Sequence, residues 1–146
     1  LADFLGRRVC APRYRLAPEH PFPAARDDAV AVYRALTDAV VVVGESAGGN
    51  LALGLVLGVV AAGLSPPLAV ALLSPWTDLT HSGDSHATLA GLDPTLSVEH
   101  FLKPAALAYA GGQSPAAPAI SPLFADVPAK FPPTIISTGT RDLLLS

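Results

Sequence analysis

Residues 40–57 read VVVVGESAGGNLALGLVL. A run of valines enters a turn of small residues and a second apolar run leaves it. The one interruption of apolar packing carries a glutamate and a serine. Gly44-Glu45-Ser46-Ala47-Gly48 matches G-x-S-x-G, the pattern of a serine held at a sharp strand-to-helix bend. A Gly-rich structural turn with a capping serine gives the same string, so the setting has to separate the two. A buried strand running in and a buried helix running out favour a nucleophile. Gly44 and Gly48 would let strand and helix approach without a Cβ clash. The N–H of Ala47, at the helix start, would face a developing oxyanion with the helix dipole behind it.

A serine hydroxyl is a poor nucleophile until a base takes its proton, and that base needs an acid to orient it. In an open α/β sheet these partners belong on loops at the carboxyl ends of later strands. Asp142 follows the strand-like segment PTIISTG on such a loop, and position alone leaves it balanced between catalytic acid and ordinary loop aspartate. The base is missing. Chain order in this architecture is serine, acid, histidine, and none of the four histidines follows Asp142. His20 lies in a rigid Pro-rich loop and His100 on a helix. His81, Asp84 and His86 have a metal-like spacing but read as a solvated loop, so no metal is expected.

The elements that would position Ser46 alternate. Arg8 to Tyr14 is β-compatible, and its arginines, with Arg7 and Arg15, read as a solvated strand edge. After the proline-rich LAPEHPFP comes an amphipathic helix with Ala25, Ala29, Val32 or Tyr33, and Leu36 on one face and Asp27 and Asp28 in its first turn. Thr37 and Asp38 connect it to the strand Val40–Val43, whose unbroken valines suit a parallel strand covered on both faces. The helix from Ala47 to about Ala62 is apolar almost all round and should be central. LAVALLSPW and PTIIST are further strands. Ser97–Tyr109 is a helix with Ser97 as N-cap and the glycines after Tyr109 at its C-terminus. The fold class is therefore α/β: a mostly parallel sheet with helices on both faces, in one unit over residues 1–146.

The chain has 146 residues, 51% of them hydrophobic and 14% charged, with a net charge of −3. That balance, without a long basic run, argues against nucleic acid as partner. The apolar run Leu51–Leu64 is too short to span a bilayer and prolines end it, so no membrane span is expected. The single cysteine, Cys10, reads as a buried inert thiol. With no methionine, an opening at Leu1 inside what reads as a helix end, and an apolar ending, the sequence reads as an internal fragment, cytoplasmic by default.

Longer segments go beyond spacing. YRLAPEHPFPAARDDAV, VVVGESAGGNLAL, LLSPWTDLT, YAGG followed by AISPLFADV, and PPTIISTGTRDLLLS resemble, in order, the hormone-sensitive-lipase-like family (family IV) of α/β-hydrolase esterases. The resemblance covers essentially the whole chain. It implies a partial α/β-hydrolase fold and a serine carboxylester hydrolase that acts through an acyl-enzyme on short to medium acyl esters, with no metal or organic cofactor. By matching position, Ser46 is the nucleophile, Asp142 the acid and Ala47 N–H one oxyanion donor. The family's His-Gly-Gly oxyanion loop falls upstream of Leu1 and its catalytic histidine beyond Ser146, so these residues alone should be nearly inactive and poorly folded. Arg13 stands where the family usually has an aspartate, and the Leu36–Ala39 connection is short. A homodimer of the parent protein fits the resemblance. Other uses of such a chain are a hydrolase-like ligand-binding protein, as the gibberellin receptors are, and non-hydrolytic acyl transfer or dehydration at the same serine.

Overall fold

A computed structural model describes residues 2–146. Leu1, and with it the expected helix end there, lies outside the described residues; a short helix α1 (Ala2–Leu5) follows directly. Helix α2 (Ala24–Ala35) buries Ala25 and Ala29 of the stripe its spacing predicted, but Leu36 falls past the helix end in extended backbone and is exposed. Strand β1 (Val41–Glu45) leads through Ser46 into helix α3 (Ala47–Ala61), then strand β2 (Ala69–Leu73). A single-turn helix α4 (Ser85–Thr88) and a wide π-helical turn (Val98–Leu102) precede helix α5 (Lys103–Ala110). A 3-10 turn (Pro122–Phe124) and strand β3 (Thr134–Ser137) follow. Ser97 accepts the His100 N–H as N-cap, and Gly111, at φ 58°, caps α5, both as read from the sequence.

The strands form one parallel sheet in the order β1-β2-β3, with Val42 beside Val70 beside Thr134 and Gly44 beside Leu72 beside Ile136. A parallel sheet puts all its carboxyl ends on one edge, and Ser46, Ser74 and the Gly139–Asp142 loop leave from there. Helix α3 covers the face that carries Val42, Val70 and Leu72, with Ala52 and Val56 packed against them. Its opposite side carries Val59 and Leu55 against Ala29 of α2. No residue from Gly48 to Val60 is exposed, so α3 is the central helix its composition predicted. Each fully buried valine there, Val56 and Val59, contributes about 1.5–3 kcal/mol.

The expected cover on both faces is met on one, and there over β1 and β2 only, since Ile136 of β3 stays exposed. Val41, Val43, Leu73 and Ile135 lie on the other face, and they stay exposed, from 48% at Leu73 to 68% at Ile135. Nothing among the described residues packs there. Arg8–Tyr14 is not a strand, because no neighbouring strand offers it a ladder. Cys10 is consequently exposed rather than buried. Two of the four clustered arginines make ion pairs instead: Arg8 with Asp38, and Arg15 with both carboxylate oxygens of Asp28. The Arg15 guanidinium and N–H bring Asp28 down to about 2. Asp28 thus anchors the preceding loop instead of serving the helix dipole.

A second core lies beyond the carboxyl edge, where Trp76, Leu79, Leu102, Ala106, Ile120, Leu143 and Leu144 close on one another. It holds the loops around the site.

Candidate active site

Ser46 sits between β1 and α3 at φ 52° and ψ −121°, a conformation a non-glycine residue adopts at a cost of about 1–3 kcal/mol. The surrounding bonds hold it there. Its N–H donates to the Leu73 carbonyl at 3.0 Å, while its own carbonyl accepts from Gly49 at 2.9 Å, Asn50 at 3.2 Å and Trp76 at 2.9 Å. The Ala47 N–H opens α3, where a helix has no internal acceptor to offer, and it takes no other backbone or side-chain acceptor among the described residues.

The glycines divide their work differently from the sequence expectation. A Cβ on Gly44 would lie 2.3 Å from the Gly48 carbonyl oxygen and 2.9 Å from the Gly49 Cα. On Gly49 it would lie 2.6 Å from the Pro75 Cβ. On Gly48 it would meet nothing within 4 Å. Close packing requires Gly44, where β1 meets α3, and Gly49, where α3 meets Pro75; Gly48 faces open space.

Asn50, one turn into α3, was missed from the sequence. Buried beneath the bend, it donates from one amide nitrogen to the carbonyls of Trp76 and Ile120, each at 2.9 Å. The bend after β2 is thereby tied to the bend after β1. Ser74, at φ 42°, is the second strained serine on this edge. A polar residue in the apolar run after Ser46 was the available signal.

Ser46 and Asp142 line one cleft of about 550 Å³, with Glu45, Ser74, Asp93, Leu96 and Arg141 among its walls. The Asp142 carboxylate accepts the Leu144 N–H at 2.8 Å and, more loosely, the Thr138 hydroxyl at 3.4 Å. Leu143 and Leu144, buried in the second core, fix the loop behind it. Asp93 was also missed, although Asp-Pro-Thr is a turn-forming string. One of its oxygens collects the N–H groups of Thr95 and Leu96 and the Thr95 hydroxyl; the other accepts the Leu143 N–H at 3.2 Å. Burial pushes this carboxyl up, but the four donors outweigh it and bring it down to about 2.

None of the four histidines lines the cleft. His20 and His100 are exposed. His81 and His86 do not form the solvated loop that was expected. Their rings meet edge to face, centroids 5.1 Å apart, with His81 tilted over Trp76 at 5.6 Å. His81 Nε2 and His86 Nδ1 are buried without a partner, and burial holds both imidazoles below the ordinary histidine value. The apolar wall of Trp76 draws them in. Among the described residues no cluster of three or more His, Cys, Asp or Glu is arranged to hold a metal ion. None of the described helices is long and apolar enough to cross a membrane.

The whole sequence, residues 1–146, matches the alpha/beta hydrolase fold family. The chain belongs to that family. This alpha/beta hydrolase is 37% identical to an acetyl-hydrolase of Streptomyces hygroscopicus over 99% of its own length and 50% of the relative's. It is 35% identical to an esterase of Acinetobacter venetianus, over 90% of its own length and 45% of the other. Among solved structures it superposes on an esterase of the bacterial hormone-sensitive lipase family with a TM-score of 0.91 and 39% identity, covering 96% of this chain and 48% of that one. The chain therefore spans about half the length of the relatives it matches. The fold and the family resemblance read from its motifs agree with these findings.

Proposed function

We propose that this chain carries the nucleophile, one oxyanion donor and the acid of a serine carboxylester hydrolase. The observation that carries the reading is the strained Ser46, standing at the carboxyl edge of the sheet in one cleft with Asp142. Ser46 Oγ attacks the ester carbonyl carbon as a histidine takes its proton. The carbonyl oxygen becomes an oxyanion that the Ala47 N–H receives. The C–O bond to the alcohol then breaks, with the histidine returning the proton to the departing oxygen, and an acyl-enzyme remains. Water activated by the same histidine hydrolyses it. Asp142 orients that histidine, which the family resemblance places after Asp142 in the chain. Relatives bearing the names acetyl-hydrolase and esterase support small acyl esters as substrates.

The test is turnover of p-nitrophenyl acetate and butyrate by the protein encoded by the complete reading frame around these residues. Ser46→Ala should lower kcat about a thousandfold or more, and the isolated 146-residue chain should lose a similar factor for want of its base. Unchanged turnover in Ser46→Ala would refute the assignment, as would full activity in the isolated chain.

A further inference from the structure

Among the described residues, Asp142 receives two hydrogen bonds at its own carboxylate, one of them long. The backbone that carries it needs a further anchor, and Asp93, which also lines the cleft, supplies one. Its first oxygen is taken up by Thr95 N–H at 2.8 Å, Thr95 Oγ1 at 2.9 Å and Leu96 N–H at 2.9 Å, which closes the 93–96 turn. The second oxygen reaches out of that turn to the Leu143 N–H, fifty residues along the chain. Leu143 is the residue next to Asp142, and it is 1% exposed, so a bond to its N–H fixes the peptide that carries the acid. Leu96 and Thr95 themselves line the cleft. One carboxylate thus holds the wall of the cleft and the acid loop at a fixed separation. Its four donors keep it ionised throughout the working range of an esterase.

We infer that Asp93 is a positioning residue for Asp142, clamping the 93–96 wall of the cleft to the acid loop through the Leu143 N–H. The inference rests on the reading of Asp142 as the acid. Asp93→Asn changes little in volume, but an amide nitrogen facing the Leu143 N–H sets donor against donor. Asp93→Ser keeps an acceptor for the Thr95 and Leu96 N–H groups and no longer reaches Leu143. Asp78 provides the comparison: it gathers the N–H and hydroxyl groups of Thr80 and Ser82 in a turn of its own and bonds nothing in the acid loop.

The experiment combines amide hydrogen exchange and ester hydrolysis on the full protein carrying Asp93→Asn, Asp93→Ser or Asp78→Asn. Both Asp93 variants should exchange the Leu143–Leu145 amides at least tenfold faster. They should also lower kcat about tenfold or more with KM changed less than threefold. Asp78→Asn should leave those amides and kcat within twofold of wild type. Unchanged exchange at 143–145 overturns the clamp. Faster exchange with unaltered kcat overturns the positioning role, and so does an equal kcat loss in Asp78→Asn. The exchange arm does not depend on Ser46 chemistry. A failure of the esterase reading, seen as activity surviving Ser46→Ala, is therefore separable from a failure of the clamp.

Discussion

The two glycines of G-x-S-x-G are equivalent in the motif and unequal in the fold, which gives a sharp contrast between Gly44→Ala and Gly48→Ala. At Gly44 the new methyl would lie 2.3 Å from a backbone oxygen, 2.7 Å from a backbone carbon and 2.9 Å from a Cα. All three atoms belong to the first turn of α3 and cannot swing aside as a side chain would. The shortfall from ordinary contact is about 1 Å, so β1 and the start of α3 must separate by that amount in a close-packed interior. Overpacking of this kind costs about 3 kcal/mol, the upper part of the usual range. For a chain of this length that lowers Tm by roughly 10 °C. Ser46 lies within the displaced segment, and a misplacement of about 1 Å costs about a hundredfold in turnover. At Gly48 nothing lies within 4 Å of the added methyl. Alanine there should be neutral or stabilising by about 0.5–1 kcal/mol, because the helix no longer carries the entropy cost of glycine. Thermal unfolding of the 146-residue chain by circular dichroism and p-nitrophenyl ester hydrolysis by the full protein test both. Equal losses of stability in the two variants would refute the steric argument, as would a Gly44→Ala protein within about 1 kcal/mol of wild type.

Other outcomes follow from the same geometry. Ser46→Gly should abolish ester turnover yet raise stability by about 1 kcal/mol, since glycine relieves the positive φ; urea unfolding of the variant decides it. Asn50→Leu should cost about 2–4 kcal/mol in the same assay, because it orphans the buried carbonyls of Trp76 and Ile120. Acidification should act in two stages. His81 and His86 are held neutral in the fold, so the unfolded chain takes up protons first and stability falls as pH drops below about 6.5. Asp93, held at about 2, contributes stability that is full above about pH 4 and is lost as pH falls towards 2. A Tm profile from pH 8 to 3 should show both, and His86→Phe should flatten the upper stage. On the bare sheet face of the isolated chain, Val43→Lys should change stability by less than about 0.5 kcal/mol, measured by urea unfolding.

What was legible in the sequence was what repeats or concentrates. The all-round apolar α3 and the pair Ala25 and Ala29 state their surroundings in their own pattern, and the unbroken valines mark β1 as a strand although one of its faces stays open. The serine and its bend were legible for the same reason, since small residues between two apolar runs have few other uses. Features set by a distant partner were not. Cys10 reads as buried from its neighbours, but burial depends on a ladder that Arg8–Tyr14 does not find here. His81 and His86 look like loop residues until Trp76 lies beneath them. Asn50 and Asp93 act across 70 and 50 residues of chain, a separation at which local pattern carries no information. Gly48 and Gly49 are indistinguishable in the string, and only the position of Pro75 separates them.

The amide of Asn50 also has a consequence in time. Its partners lie 26 and 70 residues further along, at Trp76 and Ile120. At a synthesis rate of about 5–20 residues per second, Ile120 is made roughly 4–14 s after Asn50. Throughout that interval the most apolar helix of the chain exists with the polar anchor at its foot still hydrated. The serine bend is complete only once the chain has been made as far as Ile120. A pause in translation between Trp76 and Ile120 prolongs that interval.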